Sequence, residues 1–451
     1  MRGSGPGVDG AAVRGEPAGA GNRRGRGAGA GLTGPAGPSV PAGRMGPTGP
    51  TGRAPAPGAA GGPGHGPAEA GAGSRRWGAA GISVWLDGLS RQRLAGGRLA
   101  ALARQGRIAG VTSDPAFLAR SLTGGGPYYT GQLGDLAERG VPAERALKAL
   151  AVHDIRWACD ILRPVHEATA GVDGLVSVTL DPRLAHDAEA TLAEARALWR
   201  AVDRRNAMLG IPATAAGLTA LSACLAEGIN VNATLVLSAA RHRQAADAYA
   251  EGLERARAAG RHLASLASVA SFPVSRIDTA VDALLDREGT LEARAVRGAV
   301  AVAAARHVHE QYERMLDEPR WHALAARGAR PQRLLWTATA VPDAGASGLL
   351  PTRYAAPLLT RGTVTAVTEE TLEALEAADA SEAVAKASAG AGTYTAARRL
   401  LGHLQWFGID HGELALRLES EALKELNDAW HQLLDRVTLA LDQGPSAAAT
   451  G

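Results

Sequence analysis

The chain has 451 residues, a formal net charge of +3 and an apolar fraction of 46%, which is ample for a sizeable core. Much of the basic excess lies in the first 80 residues and the rest mixes both signs, so the charge does not indicate nucleic-acid binding. The sequence contains no run of about 18 apolar residues, so it predicts no membrane-spanning segment.

The first segment of the chain, residues 1–79, consists mainly of Gly, Ala, Pro and Arg. Such a segment cannot bury enough apolar surface to offset its conformational entropy, so we predict a disordered extension. We assign residues 80–441 to one folded domain and residues 442–451 to a disordered tail.

From Gly81 onwards, short β-rich runs alternate with longer helical patterns, which predicts a parallel sheet with helical crossovers. The alternation favours an α/β fold, a (β/α)₈ TIM-type barrel with extra C-terminal helices. No Gly-x-Gly-x-x-Gly turn follows the first strand, which disfavours a dinucleotide-binding sheet. The eight predicted strands are Ile82–Leu86, Ile108–Thr112, Leu175–Leu180, Ala207–Ile211, Val231–Leu237, Ser268–Ser271, Leu334–Ala338 and Thr363–Val367.

The helical patterns between the strands have apolar faces with Arg and Glu on the outer side. Residues 128–169 are expected to form two or three helices. Single helices are predicted over Ala239–Ala259 and Leu291–Leu316, and the last two, Thr393–Trp406 and Glu413–Leu441, are expected to pack back on the barrel.

The cysteines and the N-terminus predict the compartment. Cys159 and Cys224 lie apart in predicted helices without the spacing of metal ligands, which is typical of small buried side chains in a reducing environment. The N-terminus lacks the charged-then-apolar order of a signal peptide. We therefore expect a cytoplasmic protein.

In a barrel of this kind, function lies at the C-terminal ends of the strands. The spacing of His153, His186 and His309 predicts no metal site. The residues at the strand ends form a polar ring: Asp87, Thr112 with Asp114, Thr179 with Asp181, Gly210 with Thr214, Asn232 with Thr234, Ser271 with Arg276, and Thr337 with Thr339.

Several strand-end motifs occur in one order and spacing that resembles the transaldolase family, in its longer bacterial form. The resemblance extends from about Gly81 to Leu441. Its motifs are Val84–Arg91 (VWLDGLSR), Gly110–Pro115 (GVTSDP), Asp181–His186 (DPRLAH), Ile211–Thr214 (IPAT), Asn230–Leu235 (NVNATL) and Ala270–Arg276 (ASFPVSR).

The resemblance implies a transferase of carbohydrate metabolism that moves a dihydroxyacetone unit between sugar phosphates in the pentose phosphate pathway. A strand-four lysine of the family forms a Schiff base with the ketose, without a metal or organic cofactor. An Asp on strand one, here Asp87, and a Glu on strand three transfer protons through a bound water. The implied substrate-binding positions are Thr112, Asp114, Asn232, Thr234, Ser271 and Arg276, of which Asn232 supports the intermediate and Ser271 and Arg276 bind phosphate.

The chain departs from the family pattern at the positions that carry the reaction. Gly210 stands where the family has the Schiff-base lysine, and Thr179 stands where it has the strand-three Glu. Asp114 replaces the strand-two Asn. Three further positions differ. This chain has Pro273 where the family has an aromatic residue after strand six. Near strand seven it has Ala338 and Pro342 where the family has a Ser and a Lys.

The missing amine matters because a carbonyl compound releases a neighbouring carbanion only when an electron sink is present. A protonated imine is that sink, and among side chains only a primary amine forms one; arginine stays protonated and is a poor nucleophile. The three lysines are Lys148 and Lys424, on predicted outer helices, and Lys386, in a polar stretch after the helix of strand eight. We therefore expect ordinary transaldolase turnover to be impaired or lost.

Three interpretations stay open at this point. The first is a non-catalytic protein that binds a phosphorylated sugar, another small phosphorylated ligand or a partner. The second is an enzyme with non-imine chemistry, in which Asp87 and Asp114 hold different pKa values and transfer protons. The third is an ordinary transaldolase that uses another amine.

Overall fold

The computed structural model describes residues 77–78, 80–124, 128–341, 350–378 and 390–443. Most of the predicted extension and tail, residues 1–76 and 444–451, lies outside the described residues. Trp77, which the sequence pattern assigned to the extension, is buried in the main core, and the last helix continues to Gln443.

The strands of the described residues close into a parallel barrel in which each pairs with its neighbours in chain order and the eighth returns to the first. This confirms the predicted (β/α)₈ class. The strands are β1 Ser83–Asp87, β2 Gly110–Ser113, β3 Leu175–Thr179, β4 Ala207–Pro212, β5 Val231–Thr234, β6 Ser268–Pro273, β7 Arg333–Thr337 and β8 Val364–Val367.

Helices cover the outside of the barrel. Within the described residues, short 3₁₀ turns lie at Pro182–Leu184, Leu263–Ser265, Ala356–Leu358 and Leu404–Phe407. The described α-helices are α1 Arg91–Ala95, α2 Arg98–Arg104, α3 Pro115–Gly124, α4 Thr130–Glu138, α5 Ala143–Ala168, α6 Ala188–Val202, α7 Ala215–Ala226, α8 Ala239–Ala258, α9 Val274–Glu288, α10 Leu291–Val296, α11 Val300–Leu316, α12 Pro319–Ala325, α13 Glu369–Ala377, α14 Gly390–His403 and α15 His411–Gln443.

Alternation along each strand separates two cores, because successive side chains of a strand point to opposite faces. Trp85, Met208 and Leu335 belong to a cluster inside the barrel. Their neighbours, such as Leu86, belong to the larger core that includes the surrounding helices. Gly110 accommodates the interior indole, since a Cβ atom there would lie 2.7 Å from Cε2 of Trp85.

Two predicted elements differ from the structure: one strand is shorter than predicted, and one helix is interrupted. Strand β5 stops at Thr234 rather than Leu237, and the next residue, Leu235, has a left-handed φ of +61°. The predicted helix Leu291–Leu316 is two helices, broken at Gly298, which has a φ of +70°. The amide of Gly298 donates a hydrogen bond of 2.8 Å to Oδ1 of Asp282, which fixes the break.

The C-terminal helix α15 packs back on the barrel as predicted. Its buried Leu433 and Val437 join Tyr129, Leu133 and Leu147 in a separate hydrophobic cluster beside α3, α4 and α5. Within the described ranges, every helix is too short or too polar to span a membrane.

Candidate active site

The polar ring at the barrel mouth consists of inward-facing residues at the C-terminal ends of the strands. Asp87 ends β1 and lies in register with Thr112 of β2. The Thr112 hydroxyl donates a hydrogen bond of 2.8 Å to Oδ1 of Asp87. Thr112 is buried, so this bond is shielded from solvent.

The environment of Asp87 favours its protonated form. Burial, the largest effect, raises the pKa of the Asp87 carboxyl above its ordinary value, and the negative charge of Asp114 raises it further. The hydrogen bond from Thr112 and the positive charges of Arg93 and Arg120 act in the opposite direction. A buried carboxyl with a raised pKa is a candidate proton donor or acceptor.

Asn232 lies at the centre of a buried hydrogen-bonded row across three strands. Its Nδ2 donates to Oγ of Ser177 at 3.0 Å, and its Oδ1 accepts a bond of 2.6 Å from the Ser271 hydroxyl. Sequence reasoning missed Ser177, although its position two residues before Thr179 places it on the inward face of β3. The predicted residues Asn232 and Ser271 are therefore brought together.

Gly210 lies between β3 and β5, in register with Thr179 on one side and Asn232 on the other. A Cβ atom built at Gly210 would lie 3.1 Å from Cα of Thr179 and 3.3 Å from Cγ2 of Thr234. The neighbouring strands therefore leave little space for a side chain at position 210. The buried Oγ1 of Thr234 has no hydrogen-bond partner in the part of the chain that the structure describes.

The described lysines lie elsewhere. Lys148 on α5 donates a 2.7 Å hydrogen bond to Glu194 of α6, and Lys424 on α15 is exposed. Lys386 lies outside the described residues, as does Pro342. Lys148 nevertheless lines the same cavity as Thr179, so it is the described amine that a trapping experiment has to examine.

Arg276 is held by a carboxylate of the C-terminal helix. Its Nη2 donates a hydrogen bond of 2.7 Å to Oε2 of Glu425. This hydrogen bond, together with the positive charge of the guanidinium, lowers the pKa of the Glu425 carboxyl. The Ser271 hydroxyl is engaged with Asn232 instead. The two residues predicted to bind phosphate, Ser271 and Arg276, are thus not joined by a hydrogen bond. The Glu425 carboxylate pairs with the guanidinium that an anion would approach.

Other predicted ring residues have structural tasks. Asp114 is exposed and caps α3, its Oδ1 accepting a bond of 2.7 Å from the amide of Phe117. Asp181 pairs with Arg183 at 2.6 Å. The remaining ring residues complete the strand ends: Thr214 caps α7, Thr337 pairs in register with Pro273, and Thr339 donates to the carbonyl of Ala366.

The histidines and acidic residues of the described ranges form no group of three suited to hold a metal ion. His153 meets Trp157 edge to face, with ring centroids 6.0 Å apart. Nδ1 of His309 lies 2.8 Å from the hydroxyl of Tyr394. Both rings therefore have structural neighbours away from the barrel mouth.

Comparison with known proteins gives one consistent family. A family model described as transaldolase/fructose-6-phosphate aldolase matches residues 84–437. A transaldolase of Parafrankia sp. is 47% identical over 82% of this chain and 98% of its own length. A transaldolase of Acidothermus cellulolyticus is 47% identical over 81% and 96%, and transaldolase 2 of Streptomyces coelicolor is 43% identical over 78% and 93%.

Proposed function

This chain belongs to the transaldolase/fructose-6-phosphate aldolase family, and from that premise we propose that it binds a sugar phosphate at the barrel mouth without the Schiff-base turnover of the family. The ligand class follows from the family's reaction in the pentose phosphate pathway. The proposed setting is the cytoplasm, where the buried free thiols Cys159 and Cys224 stay reduced.

The observation that carries the proposal is Gly210 in strand β4. Its inward position at the mouth, between Thr179 and Asn232, is the position where the family resemblance expects an amine. Glycine supplies no nucleophile, and without an imine the substrate has no electron sink for carbon–carbon cleavage. Ordinary aldol transfer is therefore blocked at its first covalent step.

Binding is supported by the groups that the chain keeps. Arg276 offers a forked, permanently charged donor that suits phosphate oxygens. The row formed by Ser177, Asn232 and Ser271 offers fixed, buried polar groups on three strands of the barrel. A phosphate can reach Arg276 only if Glu425 is displaced. The Arg276–Glu425 ion pair is partly exposed, so breaking it costs little free energy.

A second candidate function, proton-transfer catalysis without an imine, is favoured by the raised pKa of Asp87. The Asp87 carboxyl is hydrogen-bonded to Thr112, and burial together with the negative charge of Asp114 raises its pKa. This candidate predicts a reaction that is lost in Asp87→Asn. The same variant keeps sugar phosphate binding if the first candidate alone holds.

The proposal is tested by titrating fructose 6-phosphate into the protein in a calorimeter and assaying aldol transfer in parallel. We expect saturable binding, no transfer, and binding weakened about tenfold or more in Arg276→Ala, which corresponds to about 1.4 kcal/mol. Arg287→Ala, an exposed arginine in the last turn of the same helix, is the matched control and should bind as the wild type does. Transfer by the wild type, or equal binding by Arg276→Ala, contradicts the proposal.

A double variant, Gly210→Lys with Thr179→Glu, tests whether the pocket retains the family geometry. We expect weak aldol transfer to appear, with some loss of stability because a Cβ at Gly210 meets Thr179 and Thr234 at 3.1–3.3 Å. Thr179→Glu alone is the control, since it adds the carboxylate without the amine. If the folded double variant shows no transfer, the loss of activity does not reside in these two positions.

A further inference from the structure

A mostly apolar cavity of about 250 Å³ lies beside the barrel mouth, between the ends of β2 and β3 and the helices α5, α6 and α15. We call it the apolar chamber; its walls include Leu118, Leu147, Leu198, Trp430, Leu433 and Leu434. The chamber also borders Thr179 and Asp114, so it adjoins the polar ring. None of the groups that support phosphate binding, Arg276, Ser271 and Asn232, is part of its lining.

Two ion pairs lie on the rim of the chamber: Lys148 pairs with Glu194 at 2.7 Å, and Arg183 pairs with Asp181 at 2.6 Å. The third cation of the lining, Arg145, is exposed, and the carboxylates of the lining outnumber the cations. An anionic occupant would therefore meet more carboxylates than cations, which disfavours a phosphate or carboxylate here.

The size of the chamber sets the size of its occupant. An engineered cavity of about 150 Å³ with aliphatic walls stays dry and binds benzene. A chamber of about 250 Å³ has room for a substituted aromatic ring or a branched aliphatic group of similar size. The C-terminal residues 444–451 (GPSAAATG) carry no bulky apolar side chain that would fill it.

We infer that the apolar chamber is a binding site for an uncharged small molecule, or the uncharged part of a ligand, with an aromatic or branched aliphatic body. Its border with Thr179 places such a body next to the barrel mouth, where the family resemblance expects a glutamate. A threonine keeps that opening free of an added negative charge. The inference goes beyond sugar phosphate binding and does not depend on it.

The test uses a pair of ligands of similar size that differ in charge, 4-fluorotoluene and 4-fluorobenzoate, titrated against the full-length protein and followed by ¹⁹F NMR. We expect saturable binding of 4-fluorotoluene, about tenfold or more tighter than that of 4-fluorobenzoate. No saturable binding of 4-fluorotoluene, or preference for 4-fluorobenzoate, overturns the inference. Fructose 6-phosphate is titrated separately, so failure of one site is distinguishable from failure of the other.

Variants that fill the chamber place the binding in the fold. Ala151→Phe on α5 and Leu434→Phe on α15 enlarge opposite walls and should each weaken 4-fluorotoluene binding about tenfold or more. Ala168→Phe, an exposed position on the same helix as Ala151, is the control and should bind as the wild type does. Thermal unfolding verifies that each variant folds. Unchanged binding in a folded filling variant overturns the inference, and the wild-type comparison of the two ligands decides it if neither variant folds.

Discussion

Two residues of the barrel mouth, Asp87 and Gly210, decide which chemistry its inner surface supports. Asp87 is a buried carboxyl whose pKa is raised, with one hydrogen bond from Thr112. Gly210 provides no side chain at its position beside Thr179 and Asn232. On the proposed function, the mouth offers a carboxyl for proton transfer and no amine for an imine, so binding or imine-free chemistry fits it better than aldol transfer.

The Asp87→Asn variant tests the electrostatic account of that carboxyl. The folded-state pKa of Asp87 lies above its ordinary value of 3.8, so the destabilising effect of the ionised carboxyl is absent below pH 3.8 and grows as the pH rises through the folded-state pKa. Asparagine carries no charge and still accepts the Thr112 hydrogen bond. We expect a higher free energy of unfolding than the wild type at pH 7, with the difference shrinking towards pH 4, measured by urea denaturation.

The matched control for this measurement is Asp187→Asn. Asp187 is exposed and caps α6, its Oδ1 accepting a bond of 2.9 Å from the amide of Ala190, and Asn caps a helix as well as Asp does. Its free energy of unfolding should stay within about 0.5 kcal/mol of the wild type at both pH values. A pH-independent effect of Asp87→Asn, or a loss of stability at pH 7, would contradict the account.

At the scale of elements, polar residues after the strands act as helix caps as well as ring residues. Thr214 follows β4 and begins α7: its Oγ1 accepts a bond of 2.9 Å from the amide of Gly217 and donates to the carbonyl of Ala185. The sequence correctly predicts a strand end at this residue. The capping role depends on the helix that follows, and it gives Thr214 a structural function independent of catalysis.

Removal of this cap should destabilise the fold. Thr214→Ala leaves the Gly217 amide without its partner, and we expect a loss of about 1–2 kcal/mol in the free energy of unfolding, measured in urea. Thr219→Ala, which loses only an exposed bond of 3.1 Å to the carbonyl of Ala215 in the same helix, should change it by less than about 0.5 kcal/mol. Equal effects of the two variants would show that the cap contributes nothing specific.

The contact between α9 and α15 includes an ion pair at Arg276. Its partner Glu425 is 149 residues away in the chain, and both side chains are partly or largely exposed. Glu425→Gln removes the competing carboxylate, so we expect fructose 6-phosphate to bind severalfold more tightly in calorimetry. Glu421→Gln, one turn earlier and paired with Arg417, is the control. Weaker or unchanged binding in Glu425→Gln would argue that Arg276 does not meet the phosphate.

At the scale of the whole molecule, the barrel was predictable because parallel strands covered on both faces read as short apolar runs between amphipathic helices. The order of the strands and the residues at their ends followed directly. The break at Gly298 was not predictable, since the apolar pattern of Leu291–Leu316 continues across it. The hydrogen bond that stabilises the break, from the Gly298 amide to Asp282, joins the turn between α10 and α11 to a residue of α9.

The candidate site was predictable only in part. At the predicted strand ends, Thr112 is hydrogen-bonded to Asp87 and Ser271 to Asn232. The apolar chamber and the engagement of Arg276 depend on where α15 packs, and no local pattern encodes contacts between segments that lie so far apart in sequence. These features required the folded chain.

The central claim, that no amine of this protein forms a Schiff base with a ketose phosphate, is tested most directly by borohydride trapping. The protein is incubated with fructose 6-phosphate and sodium borohydride, an active transaldolase serves as the positive control, and intact mass and peptide digests are analysed. We predict no covalent addition to Lys148, Lys386 or Lys424. A reduced ketose adduct on any of these lysines would contradict the account and restore the family's chemistry to this chain.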